Sequence, residues 1–103
     1  MNDKYILDDK TPVPAPDLMA WAKWFESADR TVRRDVENEI VVSTVFLGLD
    51  HSFGGRPPLL FETMVFGGPL DGEMDRCSTW QQAEIMHDKM LGRVRTETPE
   101  IFT

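Results

Sequence analysis

Hydrophobic side chains recur along this chain with two different periods, and the switches between them mark the elements. From Asp17 to Ala28 the positions Leu18, Trp21, Ala22, Trp24, Phe25 and Ala28 fall on one stripe at helical spacing, with Lys23, Glu26 and Ser27 off it. Pro16 suits the first turn of that helix, where a missing N–H costs nothing, and Asp17 complements the positive helix end. From Thr31 the period drops to two. Val32, Arg34 and Val36 alternate with Thr31, Arg33 and Asp35, as in a strand with one wet face. Glu37-Asn38 reads as a tight turn, because Asn38 tolerates the left-handed region. A longer strand is predicted over Glu39–Leu49. Val41, Val45 and Leu47 lie on one of its faces and Ile40, Val42 and Phe46 on the other. Apolar groups on both sides mark a central strand, or one whose second face meets another subunit.

The remaining segments are punctuated by glycine, proline and acid. Tyr5–Leu7 predicts a short edge strand, followed by an extended, polyproline-like lead through Pro12, Pro14 and Pro16. Asp50–Pro58 is a loop by its Gly-Gly and Pro-Pro content, and Leu59–Phe66 is a further strand ended by Gly67-Gly68-Pro69. Asp71–Asp75 reads as an acidic loop. Ser78 with Gln81 forms a capping-box pattern that opens a last helix, Thr79 to Arg95. Its apolar stripe is Trp80, Ala83, His87, Met90, Leu91 and Val94, with Lys89, Arg93 and Arg95 toward its negative end. The expected tail, Thr96–Thr103, has little to pack. The predicted architecture is a single α+β domain over 1–103, ordered over about 5–95. Its order is (β)αβββα, with a three-stranded antiparallel sheet, the bracketed extra edge strand, and both helices on one sheet face. One sheet face is then left partly bare, and a homodimer would cover it.

Charge narrows the partners. The net charge is −7, and the basic groupings, Arg30 with Arg33 and Arg34, then Lys89 with Arg93 and Arg95, sit among acids. Phosphate neutralisation needs a basic face, so nucleic acid is not expected. The longest apolar-rich run, Ile40 to Leu49, is too short for a membrane span, and the charged opening Met1–Asp9 lacks the apolar segment of an export signal. Cys77 is the single cysteine, which excludes an intrachain disulfide and fits a reducing, cytoplasmic compartment.

Candidate chemistry is sparse. Phosphate-loop, dinucleotide, nucleophile-elbow and zinc-protease motifs are absent from the sequence. Asp71, Glu73 and Asp75 begin like a calcium loop, but Arg76 stands at its glycine position and Gln82 at its bidentate glutamate, so no metal is assigned. Asp50, His51, Glu62 and His87 remain. Glu62 interrupts an apolar strand and His87 an apolar helix stripe. If the two meet across the helix–sheet interface, a carboxylate orienting an imidazole gives a general base or two metal ligands. The plainer reading is a buried pair that fixes helix register. The loop itself offers Phe53 and Arg56, residue types that anchor interfaces, and Trp24 is a third candidate contact. The alternative for Phe53 is that it tucks under the loop. No cofactor is implied.

The string Val42-Ser43-Thr44-Val45-Phe46-Leu47-Gly48-Leu49-Asp50-His51, followed by Pro57-Pro58-Leu59-Leu60-Phe61-Glu62-Thr63-Met64-Val65-Phe66-Gly67-Gly68, carries a resemblance. With Ser78-Thr79-Trp80 and Ala83 to His87, it resembles a group of small proteins encoded in bacteriophage and prophage genomes, over about residues 5–95. The resemblance implies a phage origin and expression in the cytoplasm of a bacterial host. It brings no catalytic residue. Relatives tend to carry an aromatic where this chain has Cys77, which implies that the thiol is not a reactive one. The function expected is a small protein-interaction module acting on a host or phage protein, including antagonism of a host defence. The alternatives are a small hydrolase or metal-binding domain using His51, Glu62 and His87, and a pocket sequestering a small nucleotide. Such a pocket would draw on Arg33, Arg34 or Arg56 with Trp24 or Phe53.

Overall fold

A computed structural model describes residues 3–97. It contains β1 (Tyr5–Asp8), β2 (Thr11–Pro14), α1 (Leu18–Ser27), β3 (Thr31–Glu37), β4 (Ile40–Phe46), β5 (Phe61–Phe66), β6 (Met74–Cys77) and α2 (Trp80–Glu97). The α+β class stands, and the sheets differ from expectation. β3 to β6 form a four-stranded antiparallel meander in the order β3-β4-β5-β6, and β1 pairs with β2 in a separate two-stranded sheet.

Two strands were hidden by composition. β2 sits in the run expected to be polyproline-like. Extended and polyproline backbones are close neighbours in φ and ψ, and in a two-stranded ribbon every residue lies at an edge, where proline's missing N–H is tolerated. Asp9, at φ 58°, makes the turn into it. β6 includes the end of the segment read as an acidic loop. Its Asp75 and Cys77 pair with Thr63 and Phe61, and Glu62 lies opposite Arg76, so pairing across the sheet outweighs the low strand propensity of Asp.

Smaller shifts have equally local causes. The β3–β4 turn is Asn38-Glu39, one residue later than expected. Both residues have positive φ, 52° and 68°, as the twist-matched two-residue hairpin requires. The capping box is Thr79 with Gln82. The Gln82 N–H donates to the Thr79 hydroxyl at 3.1 Å, and Gln82 Oε1 accepts from the N–H groups of Ser78 and Thr79. α2 runs through Glu97, so Thr96 and Glu97 are helical and not tail. The rest of the expected tail lies outside the described residues.

α2 covers one face of the meander. Ala83, Met86, His87, Met90, Leu91 and Val94 are its buried positions. They meet Ile40, Val42, Thr44 and Phe46 of β4 and Phe61, Thr63 and Val65 of β5, the alternate residues of each strand. Each large apolar side chain taken from water here contributes about 1.5–3 kcal/mol. Ionic staples run along the helix: Arg33 to Asp88, Arg95 to Glu37 through both carboxylate oxygens, and Arg93 to Glu73 at 3.0 Å.

α1 reaches only the end of that face, where Trp24 packs on Phe46. Only about three residues join it to β3, so it stays at the Phe46 end, against β1 and the chain beyond β4. Asp17 caps it by accepting from the Ala20 N–H at 2.8 Å. None of its residues is fully buried. It is held by ring contacts: Trp24 meets the edge of Phe46 at 5.8 Å, and the Arg30 guanidinium lies 4.1 Å from the centre of Phe25, which stacks on Trp21 one turn back in the same helix. The Gly48 carbonyl receives both the Trp21 indole N–H and the Tyr5 N–H. A Cβ on Gly48 would stand 2.9 Å from Phe25, and its φ of 78° is one L-residues avoid.

Candidate functional site

The most concentrated polar chemistry lies in the core between α2 and the sheet. His87 is 0% exposed. Its Nε2 is 2.7 Å from Asp35 Oδ2 and its Nδ1 is 2.7 Å from Thr44 Oγ1, which in turn meets Thr63 Oγ1. Asp35 also accepts from Arg33 at 3.2 Å. The hydrogen bond from His87, with that from Arg33, holds the Asp35 carboxyl below its ordinary value, so it accepts only. The proton order follows. Nε2–H donates to Asp35; with Nδ1 unprotonated, that atom accepts from the Thr44 hydroxyl and Thr44 in turn accepts from Thr63.

Hydroxyl, imidazole and carboxylate in a row have the order of a nucleophile, base and orienting acid. Access decides against that role. Thr44, Thr63 and His87 are all fully buried, so no substrate atom can approach the hydroxyl. The row acts as a hydrogen-bonded rivet that fixes α2 against β3, β4 and β5.

The structure does not bring His51, Glu62 and His87 together. Strand alternation places Glu62 on the sheet face opposite His87, where it pairs with Arg76 at 3.0 Å. The register partner of His87 is Asp35, which sequence alternation had placed on a wet face. His51 lies on the β4–β5 loop, its Nδ1–H donating to the Leu49 carbonyl at 2.9 Å. Beside it, Asp50 accepts from the N–H groups of Ser52 and Leu59 and ties the loop base together. Burial opposes its ionisation, but hydrogen bonds from Ser52 and Leu59 outweigh that and leave the carboxyl below its ordinary value. Cys77 is pushed up to about 11 by burial, with Asp75 nearby adding to it, which leaves a neutral thiol at physiological pH.

The expected contact residues also separate. Phe53 does not tuck under its loop. It is 95% exposed at φ 56°, at a tip braced by Ser52 Oγ donating to the Gly55 carbonyl. Arg56 is exposed three residues on. Trp24 instead packs on Phe46, as a core residue does. Arg33 is engaged by Asp88 and Asp35, while Arg34 lies on the opposite sheet face, so the arginines expected to line a nucleotide groove point to different sides. Among the described residues no cluster of three metal-ligating side chains occurs, and no helix is long and apolar enough to cross a membrane.

The second concentration is the sheet face turned away from α2. Register gives it as a grid. One row is Val36, Val41 and Phe66, the next is Arg34, Ser43, Met64 and Met74, and the last holds Val45 with the Glu62–Arg76 ion pair. Val36 is 53% exposed, Phe66 49% and Met74 42%, while Val41, Val45 and Met64 are half-buried by their neighbours. The apolar end lies beside the Asn38-Glu39 turn and the charged end beside the start of β5. Sequence alternation pointed to this face through Val41 and Val45. Met74 was missed because its strand was. Comparison with family models, with curated proteins and with solved structures found no match to this chain.

Proposed function

We propose that the protein is a protein-interaction module whose contact surface is the uncovered face of the meander. The observation that carries this reading is the contiguous grid of Val36, Val41, Phe66, Met64 and Met74, apolar and open where the opposite face of the same strands is sealed by α2. In keeping with the phage resemblance, the partner is a host or phage protein.

Size separates the candidate occupants. Four strands about 4.8 Å apart and about six residues long present on the order of 400 Å², whereas a stable interface takes about 800 Å² from each partner. A second copy stacked on this face alone would form a weak homodimer. A tight partner must reach beyond the sheet, and the exposed Phe53 and Arg56 supply a further contact.

Native mass spectrometry of the protein isolated from the host cell, beside a Met64→Glu variant, tests the reading. A partner protein or a dimer is expected with the unaltered chain and is lost in Met64→Glu, with thermal unfolding unchanged. A complex that survives Met64→Glu, or no complex at all, would sink it.

A further inference from the structure

β6 is the last strand of the meander, and between its outer edge and α2 runs a groove of about 380 Å³. Its two walls differ in what they offer. On the strand side, the Val65 N–H donates to the Glu73 carbonyl, which fixes the alternation along β6. Asp75 and Cys77 turn their backbone groups toward β5, and Met74 and Arg76 turn theirs outward. Among the described residues the outward N–H of Arg76 donates to the side chain of its own neighbour, Asp75 Oδ1, at 2.9 Å and to no other group. An exposed carboxylate thus stands where the acceptor of an adjoining strand would stand.

On the helix side, Ile85 is 57% exposed in the middle of α2 and Met86 lies beside it. Lys89 follows Ile85 by one helical turn and has no ion pair among the described residues. Four helical residues rise about 6 Å, and two residues of a strand advance about 6.6 Å. A strand laid in the groove therefore places two side chains of the same face, two residues apart, over Ile85 and Lys89. α2 runs from the Phe61 end of the sheet to the Ile40 end, opposite in direction to β6. A strand antiparallel to β6 travels with α2 and meets Ile85 before Lys89.

We propose that this groove binds an extended peptide segment of a partner protein as a fifth, antiparallel strand. Its recognition pattern, read from the N-terminal side, is an apolar residue, any residue, then Asp or Glu. Backbone hydrogen bonds to Met74 and Arg76 give the affinity, Ile85 with Met86 receives the apolar side chain, and Lys89 pairs with the acid. Asp75 competes with the incoming carbonyl for the Arg76 N–H. This site uses the backbone edge of β6, whereas the open sheet face uses side chains, Met74 among them.

Selection from a displayed library of random octapeptides, followed by titration of the enriched peptides, tests the proposal. The enriched set is expected to share the apolar–any–acidic pattern. Affinity should fall at least tenfold in Ile85→Glu, a surface change that leaves the core intact. Lys89→Glu should shift the preference at the last position from acid to Lys or Arg, and Asp75→Ala should raise affinity several-fold. Met64→Glu should leave peptide binding unchanged even if it abolishes the contact of the open face. Failure to enrich the pattern, equal binding to Ile85→Glu, or peptide-induced amide shifts at Val41 and Met64 in place of Arg76 would overturn the proposal.

Discussion

Thr44 is the residue on which the buried row turns, because its hydroxyl is bonded to both Thr63 and His87. Thr44→Val, nearly isosteric, leaves the Nδ1 lone pair and the Thr63 hydroxyl without partners, at a cost of about 2–3 kcal/mol. Thr63→Val removes only the last donor and should cost about 1 kcal/mol. Chemical denaturation of both variants checks the order, and equal losses would refute the assigned proton direction. Asp35 closes the row and gives it a pH signature. Its folded-state value lies below the ordinary 3.8, so its contribution is complete above that pH and is lost as pH falls through the lower value. Asp35→Asn should therefore flatten the acid limb of a stability profile below about pH 4, read from denaturation midpoints across pH. At this scale the sequence was half legible. His87 stood out as polar on an apolar stripe, which made a buried pair one of its two readings. Its partner could not be read, because both Asp35 and Glu62 alternate with apolar neighbours, and only the strand register decides which of them turns toward α2.

Elements were more legible than their joints. Both helices and β3 follow from periodicity, and β4 and β5 from apolar runs bounded by turn residues. β2 and β6 did not, because each is four residues long and carries Pro or Asp, so pairing decides their state. The β3–β4 hairpin shows what a joint costs. Glu39 occupies a left-handed position that favours glycine, next to an Asn38 that accepts one. Glu39→Gly should raise stability by about 0.5–1 kcal/mol, measured by thermal unfolding. Gly48 is the opposite case. Gly48→Ala adds strain at φ 78° and presses on Phe25, so a loss of about 1–3 kcal/mol is expected, with Trp21 fluorescence reporting loosened α1 packing.

Across the whole molecule, the meander has one riveted face and one bare face, and their contents match their roles. The α2 side of β3 carries Arg33, Asp35 and Glu37, each engaged by the helix, so helix register is set by charge as well as by fit. The bare side carries Val36 and Arg34 on that same strand. An expectation of two helices on one face already implied an uncovered side; α2 covers most of the other face, and α1 reaches its Phe46 end through Trp24. The homodimer expected from the two apolar faces of β4 is now a question of area. The exposed loop tip puts the proposed interaction to a separate test: Phe53→Ser should weaken partner binding without changing thermal stability, as calorimetry and unfolding measured together would show.

The attachment of the N-terminal third bears on how the molecule opens. The hairpin and α1 have no fully buried position within α1 and meet the rest largely around Phe46 and Gly48. The meander and α2 share the main core and their own ionic staples. Breathing motions should therefore come in two tiers. Amides of β1, β2 and α1 should exchange with deuterium through a partial opening that leaves β4 and β5 protected, and those of β4 and β5 only through global unfolding. The chain would then behave as a stable platform of residues 31–97 carrying a detachable flap, and a partner that grips the flap could loosen it without unfolding the platform.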